Sequence, residues 1–159
     1  MDIIFNYISK ELAVFLISMV PVVELRGALP VALAYGIPWW KAFIIAVIGN
    51  NLPVPFVIAY MKPVFNWIKK HTFLKNIVEK VESRTAKKAD KVLVYSALAL
   101  FLFVAIPLPG TGAWTGAMIA AFLNMRIKKA FPAIFLGVIA AGLIVTLVSY
   151  AGITLYNLF

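Results

Sequence analysis

Cysteine is absent from the 159 residues and histidine occurs once. No disulfide framework, thiolate chemistry or Cys-ligated metal centre is therefore available. His71, set among lysines in a polar segment, reads as a solvated or interfacial side chain rather than a ligand. Acids are scarce as well, six Asp and Glu against 15 Lys and Arg, for a net charge of +9. Only Glu24 among them lies inside an apolar run, so paired-carboxylate hydrolysis and metal-assisted chemistry lack their residues. Gly110-Thr111-Gly112 is not followed by Gly-Lys-Ser/Thr, which excludes a nucleotide phosphate loop. The chain reads as a non-enzyme without metal or cofactor. Its start, Met1-Asp2, lacks a basic n-region and a small-residue cleavage site, so no removable signal peptide is expected.

What is abundant is hydrocarbon. Hydrophobic residues make up 64% of the chain and mean hydropathy is +0.98. Four apolar blocks stand out, Leu12–Tyr35, Ala42–Met61, Val92–Leu123 and Ala130–Leu158. A spanning helix needs roughly 20 residues, and each block is long enough. This is the profile of a multi-pass, all-α integral membrane protein. Between the second and third blocks, Lys62–Lys91 carries nine basic residues against three acids. Tethered between membrane halves, that surplus fits the positive-inside rule and a face toward anionic lipid, not nucleic acid. Within it Trp67, Leu74, Ile77, Val78 and Val81 fall near helical spacing, as in an amphipathic surface helix or a solvated helical connector.

The two halves repeat one another. Lys41-Ala42-Phe43 recurs as Lys129-Ala130-Phe131 and Gly49 as Gly137, both at an offset of 88; Pro21-Val22 faces Pro107-Leu108 at 86. Each half runs as an apolar stretch, a Pro/Gly break, a second apolar stretch, a basic turn and a long apolar helix. If all four blocks spanned, the Arg126–Lys129 turn would lie opposite the basic linker, against the positive-inside bias. If the first and third blocks are re-entrant hairpins broken at Pro21–Pro30 and Pro107–Gly116, turn and linker share the cytoplasmic side and both termini lie outside. The expected fold is therefore two inverted repeats, residues 1–61 and 92–159. Each is a re-entrant helical hairpin plus one transmembrane helix, and a basic cytoplasmic linker helix, 62–91, joins them.

The breaks hold the chemistry. Glu24 and Arg26 are, with Lys41, the only charges from Leu12 to Met61, and an ion at that depth costs a few kcal/mol or more. Pro21, Gly27 and Pro30 favour a non-helical segment in which both charges line one cavity. A buried Glu is suited to carrying a proton and an Arg fork to holding phosphate or carboxylate; the alternative is a salt bridge pinning the hairpin. In the second half Pro107, Pro109, Gly110 and Gly112 break the helix. Thr111 and Thr115 supply hydroxyls for freed backbone or ligand, and Trp114 either gates the cavity or sits in the interfacial belt. Asn50 and Asn51, mid-block, need partners, either between helices or along a substrate or ion path. Breaks at corresponding places in two halves are the mark of a transporter binding site.

Glu24-Leu25-Arg26-Gly27-Ala28-Leu29-Pro30 and Pro107–Gly116, with the basic linker between them, resemble the bacterial and archaeal small multidrug export protein family. The resemblance covers nearly the whole chain. That family is similar in turn, at a distance, to the DedA/VTT membrane proteins, which share re-entrant hairpins with an acidic residue and arginines and are implicated in moving lipids across bilayers. This chain is shorter and has no arginine in its second break. The resemblance implies a prokaryotic inner (plasma) membrane transporter, with Glu24 and Arg26 at the tip of one hairpin and Pro107–Thr115 at the other. Proton-coupled export or flipping of an amphiphilic, phosphate-bearing lipid follows as the expectation. A cation/proton antiporter using Glu24 and a non-transporting membrane scaffold are the alternatives. Membrane lipids are the expected partners, and a chain this small suggests a homodimer.

Overall fold

A computed structural model describes residues 2–71, 89–108 and 110–156. Every described element is a helix. In chain order these are α1 (Asp2–Met19), α2 (Glu24–Ala34), α3 (Trp39–Asn51), α4 (Val54–His71), α5 (Ala89–Ala105), α6 (Ala113–Phe122) and α7 (Ile127–Tyr156). Two helical stretches are long and apolar enough to cross a membrane, Trp39–Lys69 (α3 running into α4) and Ile127–Ser149. Helix α6 and the apolar end of α5 are shorter. Large apolar side chains cover the outside, Leu147, Val148 and Tyr60 among them. In a chain of this hydropathy such an outer face belongs against lipid.

The order long helix, break, short helix, turn, long helix occurs twice, and the backbone repeats with it. At the end of α2, Tyr35, Gly36 and Ile37 donate to Val31, Leu33 and Ala32; at the end of α6, Leu123, Asn124 and Met125 donate to Ile119, Ala121 and Ala120. All six pairs match at the offset of 88. Gly36 and Asn124 take the same left-handed φ, 76° and 54°, and Ile37 and Met125 both tuck into the core. Lys41 and Ala42 donate to Pro38 as Lys129 and Ala130 donate to Arg126.

Packing repeats too. A Cβ on Gly49 would collide with Ser18 Oγ and lie 2.7 Å from the Phe15 carbonyl oxygen. On Gly137 it would lie 2.8 Å from Val104 Cβ and 2.9 Å from the Phe101 carbonyl. Phe15 and Ser18 are related to Phe101 and Val104 by 86, the offset of the two prolines. The absence of a side chain thus lets α3 press on α1, and α7 on α5, at equivalent points. Between the halves, α2 and α3 pack on α7, and α4 on α6.

The ends of the bundle are marked by charge. Lys41 Nζ pairs with Glu11 Oε1 at 2.5 Å, and Lys10 Nζ lies 5.9 Å from the centroid of the Tyr35 ring. The first hairpin's two legs therefore meet at one end. In the other half, Lys69 Nζ reaches the Phe122 carbonyl and lies 4.5 Å from the centroid of its ring, and Phe65 packs edge-on to Phe122 at 5.6 Å. The turn after α6 and the end of α4 thus share an end.

Three details differ from the sequence reading. The first break is four residues long, 20–23, not Pro21–Pro30: α2 resumes at Glu24 and runs through Pro30. A proline inside a helix costs about 3 kcal/mol, whereas an unwound segment at membrane depth leaves several backbone groups without partners. The second break, 106–112, likewise ends sooner, so Trp114, Thr115 and Gly116 belong to α6. Helix α4 passes Met61 without interruption to His71. Pro109 and linker residues 72–88, with Leu74, Ile77, Val78 and Val81, lie outside the described residues.

Candidate functional site

Where the chain leaves α1 it turns sharply. Val22 has φ 78° and Glu24 φ 50°, left-handed values that non-glycine residues seldom adopt and a β-branched residue hardly ever. Val22 is 97% exposed while Glu24 is 5% exposed. The turn therefore throws a valine outward and a carboxylate inward, at the first residue of α2.

That carboxylate lands on the other half. Glu24 Oε1 accepts the backbone N–H of Trp114 at 3.1 Å, in the first turn of α6. Gly112, the residue before α6, lies so close that a Cβ there would collide with both carboxylate oxygens. The orphan N–H groups of a helix start carry a partial positive charge. Glu24 thus sits in the first turn of α2 and against the first turn of α6 at once.

Arg26 reaches into the second break from the same helix. Its guanidinium donates to the carbonyls of Leu108 and Ile106, the latter at 3.3 Å, and to Thr111 Oγ1 at 3.1 Å. Thr111 folds the break around this point: its hydroxyl contacts the Ile106 and Leu108 carbonyls at 2.7 and 2.9 Å and lies 3.2 Å from the Leu108 N–H. A cation therefore rests on the carbonyl end of α5, where the helix dipole is negative. No ion pair joins Glu24 to Arg26 among the described residues. Each charge instead binds an opposite helix end of the second half.

The lock is reciprocal. Trp114 Nε1 donates to the carbonyl of Met19, the last residue of α1, at 3.0 Å. Arg26 and Trp114 are related by the offset of 88. Each sends an N–H from the first turn of its short helix to the carbonyl end of the other half's first helix.

The site so assembled contains Glu24, Arg26, Thr111, Gly112 and Trp114. Thr115 sits half-buried in the first turn of α6, and Gly110 turns the break with φ 83°. Pro107 is half-buried within the break, whereas Pro21 and Pro30 are exposed; Gly27 lies beside Val23. Asn50 and Asn51 are elsewhere, at the end of α3. Asn51 Nδ2 donates to Val47 of its own helix at 2.8 Å, and Asn50, fully buried, has neither amide atom partnered among the described residues. The carbonyls of Met19, Ile106 and Leu108 escape sequence reasoning altogether, because a backbone group has no side-chain signature.

The family described as "Putative small multi-drug export protein" matches residues 24–144. That is most of the chain, and it begins at the carboxylate just described. The chain belongs to this family. Neither the curated proteins nor the solved structures provide a match. The family name describes an export protein, and with the two apolar spans it makes this chain a membrane protein of the transport class. The match extends from Glu24 through the second break to Ile144 on α7, so Glu24, Arg26, Thr111, Gly112 and Trp114 all lie within it.

Proposed function

We propose that the chain exports or flips an amphiphile across a prokaryotic plasma membrane in exchange for protons, with Glu24 carrying the proton. The observation that carries this reading is the buried Glu24 carboxylate held on the first turn of α6. As an anion it gains from the helix dipole, by about 0.3–2 kcal/mol, and from a charge-assisted hydrogen bond worth about 1.5–3 kcal/mol. Protonation removes the charge on which both depend. Taking up a proton therefore loosens one half from the other, and this is what couples a proton to a conformational step.

Arg26 does the same for substrate. Its present partners are neutral carbonyls and a hydroxyl, and an anionic headgroup forms charge-assisted bonds roughly twice as strong. A phosphate-bearing amphiphile displaces those partners and frees the end of α5. Two inverted re-entrant hairpins meeting at their tips give the membrane setting, with breaks facing each other at the repeat interface.

A cation/proton antiporter is the second reading. Its support is that Arg26 spends its donors on protein oxygens, which leaves Glu24 as the charge able to attract a lipophilic cation. Proteoliposomes loaded with paired anionic and cationic fluorescent amphiphiles under a pH gradient separate the two. Anionic export lost in Glu24→Gln, with the variant still folded, is the expected result. Full activity in that variant rejects the proton role, and cationic export alone selects the antiporter.

A further inference from the structure

The two breaks share a backbone shape, but only one of them has the residue to suit it. Counted back from α2 and α6 at the offset of 88, Val22 corresponds to Gly110. Both take a left-handed φ, 78° and 83°. Glycine adopts that conformation at no steric cost. A β-branched residue adopts it against its own side chain, and keeps it only where the surroundings impose it. Packing does not impose it here, since Val22 is 97% exposed. Glu24, two residues on, is left-handed as well, at 50°. The first break is therefore strained where the second is not.

One residue grips the strained segment from both sides. Residues 20–23 lie between Met19, the last residue of α1, and Glu24, the first of α2. Trp114 Nε1 donates to the Met19 carbonyl at 3.0 Å, and the Trp114 backbone N–H donates to Glu24 Oε1 at 3.1 Å. Both ends of the turn are thus tied to the first turn of α6, while the Glu24 N–H closes it on the Val20 carbonyl at 3.0 Å. Arg26 holds the second break through Ile106, Leu108 and Thr111. There Gly110 takes the left-handed turn, so that hold stores nothing.

We propose that residues 20–23 are a spring cocked by Trp114. The two Trp114 bonds keep Val22 in the left-handed region, and breaking them lets the turn recoil and carries α2 against α1. The first hairpin is the moving part, and the second, relaxed at Gly110, is the part it moves against. Whatever opens the Trp114 contacts releases the same strain, so the device needs neither a proton nor a substrate to be built in.

Thermal unfolding of the purified full chain in mild detergent reads the strain as a double-mutant cycle. Val22→Gly should raise the midpoint by a few degrees, because glycine accepts the left-handed φ. Val22→Ala, which keeps a Cβ, should gain less. Trp114→Phe keeps a ring and the backbone N–H but loses the indole donor to Met19, and adding Val22→Gly to it should bring little of that gain. The freedom that glycine gives the unfolded chain is common to both backgrounds and cancels. A second measurement needs no Trp114 variant: exchange of the Glu24 amide, read by NMR, should slow about tenfold in Val22→Gly as the turn opens less often. A midpoint or an exchange rate that Val22→Gly leaves unimproved overturns the spring. So does an equal gain in the Trp114→Phe background, which would place the strain in the turn itself. Neither comparison involves transport, so failure of the export reading leaves this one standing.

Discussion

At the scale of single residues, the two halves are joined where a side chain meets a backbone. Glu24 approaches α6 so closely that Gly112 admits no Cβ. Gly112→Ala therefore has to expel the carboxylate, and export should fall to background with a loss of about 1–3 kcal/mol in stability. Gly152, with nothing within 4 Å of its added Cβ, is the control: Gly152→Ala in α7 should leave transport unchanged and gain up to about 1 kcal/mol. Denaturation and export assays on the two variants together check this. Glu24 and Arg26 were legible because a charge in an apolar run is expensive. Their true partners were not, since Trp114 and Leu108 lie more than eighty residues away along the chain and the Leu108 contact is to a backbone carbonyl. Nor was the left-handed φ of Glu24, which no residue preference announces. On a regular helix positions two apart face away from each other. Glu24, at the strained first residue, and Arg26, inside the first turn, nonetheless both reach the second half.

At the scale of helices, the duplicated order of features was readable from Pro21 and Pro107, the two Lys-Ala-Phe triplets, and Gly49 with Gly137. Matching hydrogen bonds now stand behind those identities at the turns. Break lengths are not legible in the sequence, because Pro30 reads as a breaker while the cost of bare backbone at membrane depth keeps it inside α2. The paired glycines make a joint prediction. Gly49→Ala and Gly137→Ala should each destabilise the fold by about 1–3 kcal/mol, through equivalent helix contacts at Phe15/Ser18 and Phe101/Val104. Gly49→Ala should cost more, because its Cβ meets Ser18 Oγ at closer range. Equilibrium unfolding in mild detergent measures both, and indifference at either position means that its helix contact is not as tight as drawn.

At the scale of the whole molecule, topology joins sequence to function. Lys69 and Phe65 touch Phe122 at one end of the bundle, and Lys10 and Glu11 approach Tyr35 and Lys41 where the first hairpin closes. By the positive-inside rule, the end with the Arg126–Lys129 turn is the one that should face the cytoplasm. Because the chain has no cysteine, single cysteines label without background. A cysteine in the Arg126–Lys129 turn and one at either terminus should label from opposite sides of intact cells. Labelling from the same side refutes the re-entrant hairpins. Composition alone foresaw an all-helical membrane protein; it did not foresee that each half would lock the other through equivalent residues, because that depends on how two hairpins meet in space.

If protonating Glu24 unlocks the two halves, the distance between the breaks reports it directly. Val22 and Leu108 are both exposed and flank the lock from opposite halves. Spin labels on Val22→Cys and Leu108→Cys, in lipid nanodiscs, allow that distance to be read by electron double resonance. A short, narrow distribution in alkaline buffer that lengthens in acid, with Glu24→Gln showing the acid pattern in both, is the predicted result. One unchanging distribution in both buffers, shared by the Gln variant, would contradict it.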